Sequence, residues 1–101
     1  MTPVGQQTLT VSTTAVGFTA SNTYKAMGDT GTTRQYASLA YCTVEDNPAR
    51  VSVVGTPTAS TGGHKLAAGT EFYLNSADEI RNFLAIRTGG SDAVISATFY
   101  A

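Results

Sequence analysis

Gln7-Thr8-Leu9-Thr10-Val11-Ser12 alternates polar and apolar residues, and Leu9 and Val11 share one face. A period of two marks a half-buried β-strand. Outward from this stretch the same rhythm recurs. Residues 49–54 set Ala49, Val51 and Val53 against Arg50 and Ser52. Residues 70–75 place Phe72 and Leu74 on one side, and 93–100 place Ile95 and Phe99 opposite Val94 and Tyr100. Residues 83–87 read as a further strand, 65–67 as a very short one, and 15–18 as a continuation of the first after a bend at Gly17. Strands spaced at about 8–12 residues, separated by turn-forming residues, indicate a sandwich or small barrel. The expectation is an all-β fold: an antiparallel β-sandwich, jelly-roll-like, of seven or eight short strands. Its core should draw on Leu9, Val11, Leu39, Val44, Val51, Val53, Phe72, Leu74, Ile86, Ile95 and Phe99.

Within 36–44, one face carries Ala37, Leu39 and Tyr41, the other Ser38, Ala40, Cys42 and Val44. Both are partly apolar, so this reads as a central strand covered on both sides. Glu45-Asp46-Asn47-Pro48 is a turn, because the residue before proline avoids the helical region. Ser76-Ala77-Asp78-Glu79 has the spacing of a capping box and should open one helical turn through Asn82. Thr88-Gly89-Gly90-Ser91-Asp92 reads as a hairpin loop. Residues 19–35 are polar and turn-rich and read as a long excursion without regular structure. Loops of that length are often functional.

Composition narrows the function. The chain has 101 residues, read as one domain (1–101) with a short N-terminal arm at 1–6. Charged residues make up 13%, against about 25% in an average soluble domain. Hydroxyls take their place, with 17 Thr and 8 Ser. Thr is β-branched and suits the wet face of a sheet. The net charge is −1 and the six basic residues are scattered, which argues against nucleic acid as a partner. No run approaches the length of a membrane-spanning helix. The segment Met1-Thr2-Pro3-Val4-Gly5 has neither a charged n-region nor an apolar h-region, so no secretory signal is expected. Synthesis in the cytoplasm is the matching expectation.

Residue by residue, catalytic chemistry finds little support. His64 is the one histidine, stands in a glycine-rich loop, and has no acid nearby in sequence to orient it. Cys42 is the one cysteine, mid-strand among small apolar residues, where a thiol is buried and inert. An all-oxygen metal site would need Glu45, Asp46 or Asp92, none of which falls in a calcium-loop pattern. Glu45 and Asp46 are adjacent in a turn rather than opposed across a cleft, as paired hydrolytic carboxylates must be. They are placed to meet Arg50 across that turn. Gly62-Gly63 and Gly89-Gly90 lack the Lys and hydroxyl residue of a phosphate loop. The expectation is no enzyme activity, no cofactor and no metal. Tyrosines are the residues of interest, since Tyr joins contact area to a polar tip. Tyr24, Met27, Tyr36, Tyr73 and Tyr100 are the interface candidates, while cross-strand pairing is the structural alternative for any one tyrosine.

From Cys42 onward the chain carries a recognisable arrangement. Cys42-Thr43-Val44-Glu45 precedes Pro48-Ala49-Arg50-Val51; then come Gly55-Thr56-Pro57-Thr58, Thr61-Gly62-Gly63 and Leu66-Ala67-Ala68-Gly69. Phe83-Leu84-Ala85-Ile86-Arg87-Thr88-Gly89 and the strand at 93–100 complete it. This resembles small structural proteins of tailed bacteriophages. The resemblance implies a virion component, a capsid decoration or cement protein on the capsid exterior. Its partners would be the major capsid protein and further copies of itself, as a trimer or dimer. A neck, tail or head-fibre component is the alternative, as is a carbohydrate-binding sandwich for host recognition. The absence of Trp weighs against the last.

Overall fold

The computed structural model describes residues 2–27 and 33–101; the side chains of 26, 27 and 33 lie outside the description. Nine strands are present among the described residues. β1 spans Pro3–Val11, β2 Tyr24–Met27, β3 Thr33–Tyr36, β4 Leu39–Glu45 and β5 Ala49–Ser52. β6 spans His64–Leu66, β7 Glu71–Leu74, β8 Leu84–Arg87 and β9 Ala93–Tyr100. One helix, α1 at Ala77–Asn82, and one 3₁₀ turn at Ala20–Asn22 complete the elements.

A four-stranded sheet has the order β1-β9-β4-β7, and a three-stranded sheet the order β6-β5-β8. Every pairing is antiparallel. An isolated bridge from Val16 to Ala85 adds a fourth, minimal strand beside β8. Its two backbone hydrogen bonds are 2.9 Å each. Numbered along the chain with Val16 second, and with the β2–β3 ribbon left aside, the sheets read 1-8-3-6 and 2-7-4-5. That is the jelly-roll order, two Greek keys folded on each other. The eight positions match the expected strand number; the ribbon is the surplus.

Alternation drives the packing. On β9, Ala93, Ile95, Ala97 and Phe99 are buried and the residues between them are half-exposed. β4 turns Ala40, Cys42 and Val44 inward, and β1 contributes Leu9 and Val11. Burying one of these larger aliphatic side chains is worth about 1.5–3 kcal/mol. Phe83 anchors the centre: its ring stacks on Phe18 at 4.7 Å and on Phe72 at 5.8 Å. Phe18 also meets Phe99 edge-on at 5.0 Å.

Several expectations need correction. Leu39 is half-exposed, because it shares the outer face of β4 with Tyr41; no second layer covers that face among the described residues. Val53 and Phe72 flank the core rather than lie in it, whereas Ile80 and Phe83 belong to it. The predicted arm at 1–6 is mostly strand, since Pro3 to Val11 pairs with β9. The loop at 88–92 is not a hairpin: β8 and β9 belong to different sheets, so it is an arch across the sandwich. Arg87 and Asp92 pair across it at 2.8 Å. Half of the expected capping box forms: Ser76 Oγ accepts from the Glu79 amide at 3.1 Å, while the Glu79 carboxylate accepts from the Asn75 amide at 2.8 Å instead of the Ser76 amide.

Candidate functional site

The excursion at 19–35 is not structureless. It begins with the turn at Ala20–Asn22 and continues into β2 and β3, which pair as a two-stranded ribbon. The turn is clamped onto β1: Gln7 Oε1 accepts from the Thr19 amide at 2.8 Å and from Asn22 Nδ2 at 3.2 Å. Gly5 makes this approach possible, for a Cβ there would strike the Asn22 carbonyl oxygen. Sequence had the signal in Tyr24-Lys25-Ala26-Met27 and Thr33-Arg34-Gln35-Tyr36, two short runs flanking glycines.

Two groups of tyrosines reach the surface. On the ribbon, Tyr24 and Tyr36 are direct cross-strand partners with ring centroids 5.4 Å apart. The Arg34 guanidinium lies 4.4 Å from the centre of the Tyr24 ring, a cation–π contact. Hydrogen bonding to Tyr36 raises the Arg34 pKa further above its ordinary value. A groove of about 580 Å³ runs between the ribbon and α1, with Phe18 and Ile80 among its apolar residues and Arg34 and Arg81 among its polar ones. Met27 lies in β2 with its side chain outside the described residues.

The second group sits on the outer face of the four-stranded sheet. Register places Tyr41 opposite Tyr73 on β7 and opposite Thr98 on β9, and Leu39 opposite Tyr100. The Tyr41 and Tyr73 rings are 5.3 Å apart and inclined at 42°. With Leu39 and Tyr100 they line a shallow trough of about 360 Å³. Tyr73 is 57% exposed. Desolvation lifts the Tyr41 phenol above its usual pKa, and the neighbouring Glu71 carboxylate adds to that. The rest of the face is mostly hydroxyl: Thr8, Thr10, Thr43, Ser96 and Thr98. The sequence marks Tyr73 and Tyr100 as interface candidates, but not Tyr41. Only the strand register makes the three neighbours.

The residues weighed for chemistry are dispersed. Cys42 is buried, and burial pushes its thiol pKa up to about 12. His64 opens β6 and is exposed, in a strand rather than a loop. Glu45 accepts from the Ser96 hydroxyl at 2.8 Å instead of meeting Arg50. Asp46 takes the left-handed conformation, φ 67°, that tightens the turn. Arg50 reaches the Gly62 carbonyl at 3.5 Å, and its Nε is buried without a hydrogen-bond partner. Gly63 has φ 63°, and a Cβ on it would strike the Val51 carbonyl oxygen. Among the described residues no three His, Cys, Asp or Glu side chains converge to hold a metal ion. No helix there is long and apolar enough to cross a membrane.

No family model, no curated protein and no solved structure matches this chain.

Proposed function

We propose that the chain is a non-enzymatic structural protein of a tailed-bacteriophage virion, a decoration or cement protein that binds the outside of the capsid shell and stabilises it. The observation that carries this reading is the β2–β3 ribbon. It is clamped to β1 at its base and presents Tyr24, Tyr36 and Arg34, the residue types that dominate protein interfaces. The jelly-roll order supports the reading by fold analogy, since viral capsid domains use it. The sequence resemblance points the same way. The partners are then the major capsid protein and further copies of the chain, with a trimer ahead of a dimer. A symmetric interface adds buried surface to a small domain.

The test adds purified protein to shells that lack it and measures occupancy and the temperature at which the shell disrupts. Binding with a raised disruption temperature is the expected result, lost when residues 24–36 are replaced by a short Gly/Ser linker. Binding without stabilisation, or none, sinks the cement role. Copy number on a quantitative gel of virions then separates the alternatives, because neck, tail and fibre parts are present in far fewer copies than a decoration protein.

A further inference from the structure

The outer-sheet trough is a second surface, separate from the ribbon. We propose that it binds a neutral saccharide, with a sugar ring seated against Tyr41, Tyr73 and Tyr100. The argument rests on which ligands satisfy its lining. Three phenol rings and Leu39 offer apolar faces. The inclination of Tyr41 to Tyr73 makes them two walls rather than a flat sheet. Polar groups stand close by: the phenol hydroxyls, the Thr98 hydroxyl opposite Tyr41, and the carboxylate of Glu71, two residues before Tyr73 on the same face of β7. A wholly apolar ligand would strip water from these groups without replacing their hydrogen bonds, which is costly. An anionic ligand would find no cation, since Leu39, Tyr41, Tyr73 and Tyr100 line the trough, and the nearest charge on that strand is the Glu71 carboxylate. A sugar ring satisfies both demands. Its C–H faces pack on the aromatic rings and its hydroxyls bond to carboxylate and phenol oxygens. Jelly rolls serve as lectin domains, so the fold permits this use. The lack of Trp is offset by three tyrosines that register brings together. A single shallow site of this kind binds weakly. Many copies on one particle would raise the avidity by multivalency.

The test is a heteronuclear NMR titration of the purified protein, without any shell, so its failure leaves the cement reading intact. Maltohexaose, cellohexaose and chitohexaose are the neutral probes and polygalacturonate the anionic one. At least one neutral probe should shift the signals of Leu39, Tyr41, Tyr73 and Tyr100 together, while polygalacturonate should not. Tyr73→Ala should weaken binding roughly ten-fold, the scale of one lost aromatic contact. Tyr36→Ala, on the ribbon, should leave binding unchanged. Tyr73 is exposed, so the variant should fold, and its thermal unfolding checks that. The proposal is overturned if no neutral probe moves these signals, or if polygalacturonate binds as well as the best of them. It is also overturned if light scattering shows Tyr73→Ala dissociating an oligomer, for the face is then covered by a second copy.

Discussion

The ribbon and the outer sheet face both present paired tyrosines, yet different things hold them in place. Tyr41, Tyr73 and Tyr100 stand on strands whose opposite faces are the core: Ala40, Cys42, Leu74 and Phe99 are all buried directly behind them. Their positions are fixed by the packing of the whole sandwich. Tyr24 and Tyr36 stand on a two-stranded ribbon that belongs to neither large sheet. A lone two-stranded hairpin is marginal in water. What holds this one is the contact between the two rings, Arg34, and the clamp of Gln7 and Gly5 at its foot. The same residue type therefore serves a rigid surface in one place and an adaptable one in the other. Adaptability suits a grip on a neighbouring protein; rigidity suits a preformed small-ligand site.

Phe83→Ala should erase the distinction, because Phe83 supports both regions through Phe72 and Phe18. The expected loss is about 3–5 kcal/mol, a large share of the stability of a domain this size. Urea denaturation measures it, and a loss under about 1 kcal/mol would mean that the aromatic stack is not the shared anchor. Gly5→Ala should separate the two regions. Its methyl group collides with the Asn22 carbonyl, so the turn lifts from β1 at a cost of about 1–3 kcal/mol. Amide exchange should speed up in β2 and β3 but not in β4 or β9. Equal acceleration everywhere would contradict the division. Tyr24→Ala should cost less still, about 0.5–1.5 kcal/mol, with its effect confined to the ribbon. Tyr41→Ala, on the frame, should cost more than Tyr24→Ala. The reverse ranking, in paired melts, would place the rigidity on the wrong side.

Cys42 reports on the frame alone. Its folded-state pKa is raised, so the neutral thiol is what the native state favours. That contribution is complete below the ordinary thiol pKa. It is lost as pH rises toward about 12, when the unfolded chain ionises and the folded one does not. Stability should fall across that alkaline window in the native protein, with a smaller fall in Cys42→Ala. Thiol-reagent labelling at neutral pH should proceed only through opening of the sandwich. Rapid labelling under native conditions would show that β4 opens locally.

The strands of the frame were legible because Leu9, Val11, Ile95 and Phe99 mark their inner faces without help from any partner. The N-cap at Ser76 was legible for a similar reason, since cap and helix are local. Leu39 was misplaced because alternation says that two faces differ, not that both are covered. The arch at 88–92 imitated a hairpin because glycine-rich turns look alike whether they stay in one sheet or cross to another. The trough was not readable at all: Tyr41, Tyr73 and Tyr100 are far apart in sequence and meet only through the β4–β7 and β4–β9 registers. Tyr73 and Tyr100 each stand out as interface candidates, but nothing local joins them.

β1 and β9 run antiparallel, with Thr2 and Ala101 hydrogen-bonded to each other at 2.8 and 2.9 Å. The hydrogen bonds of such a pair lie perpendicular to its strands. A mechanical load that draws residues 2 and 101 apart therefore acts along those bonds. It breaks them one after another, from Pro3 toward Val11, instead of shearing all of them at once. Under tension applied there, the domain unzips at low force. A load borne by the ribbon enters through the turn on β1 and does not open that zipper from its end. The same sandwich thus unzips when pulled at one pair of points and not when pulled at another.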